Sequence, residues 1–397
     1  MKKKLIYLFT ILCFTSAFTA CSNDNGNGDP EPEVPVLLKG ENMYDGDKLA
    51  LTYSDVAMPG KQIKFGTTDG KTGTLTMSGV LDLSSLLSSK SDNTPLAPGV
   101  IPGETSTIIS NIELKQSGNK YTFSGTDTND NRSVEYTGEV DSTKLTVSLK
   151  VKMATNNLLG TWNLSEYIPY QSGCIYSSWK SGKEFKFEVD EFPGLTEPWE
   201  IAPGDFITLA LTMMQFDGKN PDQLLLSVLK DITFKEDGNI IATYSEGKNI
   251  QDPQWTESPT NIAQYYVKNN TIYLLLNPSM LISAIATKAE TSSAQDQVIA
   301  GLITNILPML GSGFPLAYKI EEGKLTVFAD TELTMKLLSV VSPLLQDETF
   351  VTELLTKMAQ DPQFGGFTPM VKSILRQLPE VLEKTTQLEL GINLVKK

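Results

Sequence analysis

Five apolar residues, Leu145, Val147, Leu149, Val151 and Met153, alternate with Thr146, Ser148, Lys150 and Lys152. A helix would scatter those five around its circumference, whereas a strand puts them all on one face; the run is a strand with one wet face. Shorter copies lie upstream: Leu49 and Leu51 flank Ala50, Ile63 and Phe65 flank Lys64, and Leu75 and Met77 flank Thr76. Turn signals separate them at Asp69-Gly70, Ser117-Gly118-Asn119 and Asp130-Asn131. Residues 38–155 are therefore expected to form an all-β N-terminal domain, either an antiparallel β-sandwich or a small barrel. The Pro- and Gly-rich stretch 95–103 reads as a long loop on it.

From residue 156 the pattern becomes mixed. Three hairpins are expected, turning at Asp237-Gly238, near Asn269-Asn270 and at Glu322-Gly323, and Leu388, Leu390, Ile392 and Leu394 mark a last strand. Helical stripes interrupt them. Leu225, Val228 and Leu229 form a short one, and Val298, Leu302, Ile306 and Leu310 a longer one. Leu337, Val341, Leu344 and Leu345 follow, with a break expected at Pro343. Val351, Leu354, Leu355 and Met358, then Val371, Ile374, Leu375 and Leu378, complete the set. Residues 297–318 carry no charge, but Pro308, Gly311, Gly313 and Pro315 break that run, so a buried helix leading into a strand is expected rather than a membrane span. The fold class is thus mainly β with α insertions.

The N-terminus supplies an address. Lys2-Lys3-Lys4 precedes an apolar run over residues 5–14, the layout of a secretory leader over 1–20. Phe18-Thr19-Ala20-Cys21 resembles a bacterial lipobox, with Phe18 where Leu is usual; Cys21 would then be the lipidated first residue of the mature chain. Residues 21–37 are rich in Asn, Gly, Pro and acids and read as a flexible tether. Cleavage before Cys21 takes three of the 33 basic residues, leaving 30 against 47 acids, so −14 becomes −17. That balance excludes a nucleic-acid surface, which needs clustered cations. Acids close behind the Cys resemble the surface-export signal of Bacteroidetes lipoproteins, so the expected location is the cell envelope, as an outer-membrane lipoprotein exposed at the surface, and the expected state is monomeric.

Leu158-Leu159-Gly160-Thr161-Trp162-Asn163-Leu164 resembles the Gly-x-Trp first strand of lipocalin-like (calycin) barrels. Ile232-Thr233-Phe234-Lys235-Glu236-Asp237-Gly238 looks like the hairpin that recurs in bacterial lipocalin-like domains. The layout behind a lipobox is similar to that of uncharacterised Bacteroidetes lipoproteins. The resemblance covers about residues 156–397 and implies a lipocalin-like β-barrel with helical insertions. It further implies that Trp162, with Gly160, closes the barrel base against a basic residue near the last strand, for which Lys396 and Lys397 are the candidates.

The chemistry available is narrow. The chain has no His, which removes imidazole-based acid–base catalysis, Ser-His-Asp and Cys-His nucleophiles and imidazole-dependent zinc sites. Cys174 is left without a base to activate it. Asp127, Asn129 and Asn131 imitate the start of a calcium loop, but Arg132 stands where Gly is required. No metal, cofactor or catalytic residue is expected. Glu184, Glu188, Asp190 and Glu191 lie beside an aromatic-rich segment and are the acids a hydrolase would draw on, Glu184 and Glu188 being the pair to test; the alternative is a solvated acidic loop. Within that segment, Trp179 and Trp199 stand in polar, loop-like context and are candidates to stack on a sugar ring; the alternative for the cluster is core packing. Met213 and Met214 are candidate adaptable walls of an apolar pocket. The expected function is non-enzymatic binding of an apolar or amphiphilic small molecule where barrel and helices meet. The alternative is a surface glycan-binding or scaffold module.

Overall fold

The computed structural model describes residues 38, 40–80, 97–169, 172–191, 194–215, 218–246, 251–280, 309–360 and 365–397, without the side chains of 340–344 and 346. Cys21, the leader and the tether lie outside them. The chain is mainly β, and the described residues belong to one compact unit with separate hydrophobic cores.

The N-terminal lobe contains β1 (Gly40–Tyr44), β2 (Leu49–Tyr53), β3 (Val56–Ala57), β4 (Lys61–Thr67), β5 (Thr72–Gly79), β6 (Ser106–Glu113), β7 (Lys115–Ser117), β8 (Lys120–Asn129), β9 (Arg132–Val140) and β10 (Leu145–Met153). They form a four-stranded sheet, β1-β4-β5-β6, and a six-stranded one, β3-β2-β10-β9-β8-β7. Both sheets feed one core, in which Phe65 of the first lies 6.2 Å from Phe123 of the second. Every pairing is antiparallel except one: β2 runs parallel to β10, with Leu49 opposite Leu145 and Tyr53 opposite Leu149. The fully antiparallel expectation is corrected there. Alternation fixes which face of a strand is buried but not its direction, and two strands from opposite ends of a lobe have no hairpin to dictate it.

The second lobe begins at β11 (Gly160–Leu164), β12 (Ile175–Ser181), β13 (Phe185–Phe187) and β14 (Trp199–Ile201), then α1 (Pro203–Met213) and α2 (Pro221–Val228). It continues through β15 (Leu229–Phe234), β16 (Ile240–Tyr244), β17 (Thr256–Glu257), β18 (Ala263–Lys268), β19 (Thr271–Leu276), β20 (Phe314–Glu321) and β21 (Lys324–Ala329). Helices α3 (Thr331–Gln346), α4 (Glu348–Gln360) and α5 (Thr368–Glu383) precede the last strand, β22 (Thr385–Lys396). The three expected hairpins form β15–β16, β18–β19 and β20–β21. Asn269, Asn270, Glu322, Gly323 and Gly238 take positive φ at their turns, which Asn and Gly accommodate at low cost. The break expected at Pro343 does not occur: α3 runs through it, since a proline deletes one backbone bond and neighbouring turns hold the helix. No described helix is long and apolar enough to cross a membrane.

The second lobe's main sheet orders its strands β17-β16-β15-β11-β22-β21-β20-β19-β18, with β12 alongside the first half of β22. The expected barrel is not closed by a continuous ladder. Between β16 and β18 there is an isolated bridge, Asn239 with Gln264, and a bond from the Tyr265 N–H to the Gly238 carbonyl. Further along, the same edge of β16 is taken by β17, with Thr243 opposite Glu257 and Tyr244 opposite Thr256. Asn239 Oδ1 accepts the Asn261 N–H, and the Asn261 amide turns away to the carbonyls of Tyr53, Val56 and Ala57. The β15–β16 tip is held from the same side: the Asp237 carboxylate accepts the Ser54 hydroxyl at 2.6 Å, and the Asp237 carbonyl accepts the Tyr53 hydroxyl.

Candidate functional site

In the second lobe's sheet, one face gathers the apolar positions. Along β20 these are Leu316, Tyr318 and Ile320; along β21, Leu325 and Val327; along β22, Ile392 and Leu394. Register aligns them, with Ile320 opposite Leu325 opposite Leu394 and Tyr318 opposite Val327 opposite Ile392. Lys319, Glu321, Lys324 and Glu389 occupy the alternate positions and so face the other way. That opposite face is sealed locally. Phe328 packs on Tyr176 at 5.2 Å, Lys319 lies over the Phe328 ring, and the Tyr176 hydroxyl donates to Glu389, which with burial pushes Tyr176 up to about 12. Gly391 is required there, because a Cβ would sit 2.1 Å from the Val327 carbonyl.

The apolar face is closed at one end by Trp162, which is 2% exposed and donates its indole N–H to the Leu158 carbonyl at 2.6 Å. Lys396, two residues past Leu394 and hence on the same side of β22, lays its ammonium 4.5 Å over the Trp162 ring and donates to the Leu159 carbonyl. Gly160 makes room for it: at φ +108°, any Cβ would meet the Lys396 ammonium at 3.3 Å. Leu158, Leu164, Leu325 and Leu394 complete this fully buried end. Away from it, Ile175, Leu316, Val327 and Ile392 are only half-buried, and Leu390 is 42% exposed.

Trp179 and Trp199 stand elsewhere. Trp179 on β12 packs edge-on against Phe185 at 5.7 Å and donates its indole N–H to Thr385; Trp199 on β14 lies 6.2 Å from Phe187. Both belong to a core that the β13–β14 hairpin builds with α1 and α5 around Phe185, Phe187, Met370 and Val381. Their faces are used for packing, so the segment's aromatics serve a core and not an open stacking platform. Met213 is 60% exposed at the end of α1 and Met214 is half-buried beyond it; neither belongs to the core of the main sheet. Glu184 and Glu188 are exposed. Cys174 is fully buried beside Asp222, and burial pushes its thiol up to about 12, the opposite of an activated nucleophile. Asp127 belongs to an ion cluster with Arg132, and no group of metal-ligating side chains occurs among the described residues.

The partly buried Leu316 and Val327 were not singled out from sequence, although the 388–394 alternation already grouped Ile392 with Leu394 on one face. Even spacing from Leu394 also distinguishes Lys396 from Lys397 as the residue able to reach Trp162. Comparison with family models, curated proteins and solved structures returns no match.

Proposed function

We propose that this chain is an envelope-tethered, non-catalytic binder of an uncharged apolar or amphiphilic small molecule, held on the inner face of the second lobe's sheet. The carrying observation is that face itself. It presents apolar side chains without an intervening charge from Leu316 to Ile392, and Leu316, Ile320, Val327 and Ile392 are only partly buried there. Ligand sites are mostly apolar with few polar groups, and the Tyr265 and Tyr318 hydroxyls of this core are already bonded to the Lys235 carbonyl and to Asn157. In this reading the sheet is a lipocalin-like barrel parted between β16 and β18, the first lobe is a β-sandwich, and Cys21 carries the lipid that fixes the protein to the outer membrane. A glycan module built on Trp179 and Trp199 has no such support, since both rings are packed.

The test uses Nile red, a neutral apolar fluorophore. Wild type is expected to give saturable emission enhancement, and Val327→Trp and Leu316→Trp to reduce it by filling the face, with circular dichroism confirming the fold. Absence of saturable binding to wild type, or equal binding to both folded variants, overturns the site. Metabolic labelling with a radioactive fatty acid tests the anchor separately, and label retained in Cys21→Ala overturns it.

A further inference from the structure

A cleft of about 330 Å3 lies where the two lobes meet, beside β18, whose Tyr265 and Val267 line it and also pack on the second lobe's apolar core. Its floor is Arg132, whose side chain is 4% exposed. The guanidinium is fixed by Nε donating to Glu104 at 3.0 Å and by Nη1 donating to the Asp127 carbonyl at 3.0 Å and to the Asp127 carboxylate. Nη2 takes part in none of these bonds. Met153, Val267 and Pro102 supply apolar wall, and Lys268, Asn131 and Thr155 supply polar wall. Among the described residues these last three side chains are exposed and make no hydrogen bond or ion pair, while the Glu104 carboxylate in the lining is already taken by Thr107, Asn129 and Arg132, so the uncommitted charge in the cleft is the Lys268 ammonium.

The walls are preformed. Gly103 lies so close over the Tyr266 ring that a Cβ would meet it at 3.2 Å; Tyr266 stacks on Tyr273 at 4.7 Å and donates its hydroxyl to Ser312. The loop carrying Pro102 and Gly103 is pinned upstream by Lys61, which donates to the Pro98 and Gly99 carbonyls. A ligand therefore needs little rearrangement to enter.

We propose that this junction cleft binds a small organic molecule bearing a single carboxylate on an apolar body. Lys268 is the cation of the cleft with no carboxylate of its own among the described residues, and it calls for an anionic acceptor. Arg132 is already offset by Glu104 and Asp127, so a second negative charge on the ligand would meet two fixed carboxylates. Met153, Val267 and Pro102 favour an organic body over a bare inorganic anion. The volume falls at the small end of small-molecule sites, which suits one ring or a short chain.

Benzoate and hexanoate are titrated into the mature chain carrying methyl-labelled methionine, with benzyl alcohol and hexanol as neutral counterparts and inorganic phosphate as an anion without an apolar body. The Met153 methyl signal, assigned with Met153→Leu, is expected to shift saturably with at least one carboxylate and not with its alcohol or with phosphate. Lys268→Gln should weaken that binding about tenfold, as loss of one charge-assisted contact does, while leaving the other methionine signals in place. Val327→Trp should leave it unchanged, which separates this cleft from the apolar face. No saturable shift at Met153 with either carboxylate, an equal shift with the alcohol or with phosphate, or full affinity in Lys268→Gln each overturns the proposal.

Discussion

Lys61 opens β4 and is 4% exposed, yet no carboxylate pairs with it among the described residues; its ammonium donates to the Pro98 carbonyl at 2.7 Å and the Gly99 carbonyl at 2.9 Å. Burial without a counter-charge pulls its pKa from 10.5 down to about 7. In the unfolded chain Lys61 keeps its proton up to the higher value. Between about pH 7 and 10.5 the unfolded state therefore binds more protons, and stability rises with pH by about 1.4 kcal/mol per unit. Below pH 7 the penalty for the buried charge is fully present; by pH 10.5 about 4–5 kcal/mol of it has been relieved. Lys61→Met keeps the side chain's length and removes the titration. It also leaves two carbonyls without this donor, a pH-independent loss of about 1–3 kcal/mol each. The expected result is a stability difference, wild type minus variant, that grows by about 3 kcal/mol from pH 6.5 to 9.5, read from urea unfolding at constant temperature. Other titrations cancel in the difference. A difference that stays flat, or falls as pH rises, refutes the argument.

The Trp162 end of the sheet predicts that Gly160→Ala loses about 1–3 kcal/mol, because φ +108° strains any side chain and the Cβ crowds Lys396. Trp162→Phe orphans the Leu158 carbonyl and leaves a void, for a loss of about 2–4 kcal/mol; an unchanged urea midpoint in either variant contradicts the packing described. At the lobe junction, Asn261→Ala withdraws one amide from three carbonyls and should speed hydrogen exchange across residues 53–57, whereas unaltered protection there would show that the junction does not depend on it. In a chain expressed from Ser22, Cys174 should resist a thiol reagent at pH 8 until urea unfolds the protein, and prompt native labelling would show the thiol to be accessible.

What could be read from sequence was what local chemistry decides alone. Alternation from Leu145 to Met153 required a strand, and Asn269-Asn270 and Glu322-Gly323 set two turns because the chain must adopt positive φ there. Long-range pairing was illegible. Nothing in Leu49, Leu51 or Tyr53 announces a parallel partner about a hundred residues away, and nothing in Asn261 announces that its amide serves the other lobe. The site follows the same division. Leu388, Leu390, Ile392 and Leu394 showed an apolar face, but their exposure depends on what other strands and helices leave uncovered.

Trp179 and Trp199 mark the converse error. Sequence places them among polar neighbours, and polar neighbours suggest exposure. The hairpin that carries Phe185, Phe187, Trp199 and Ile201 is too short to bury anything alone, so α1 and α5 close over it, and Trp179 and Trp199 pack partly buried against that core. An aromatic cluster on so small a hairpin serves first to give that hairpin a core, and binding must be sought where apolar surface remains after every core has been filled. In this molecule that condition selects the partly buried stretch of Leu316, Val327 and Ile392, where the same alternation that built the sheet leaves an apolar face incompletely covered.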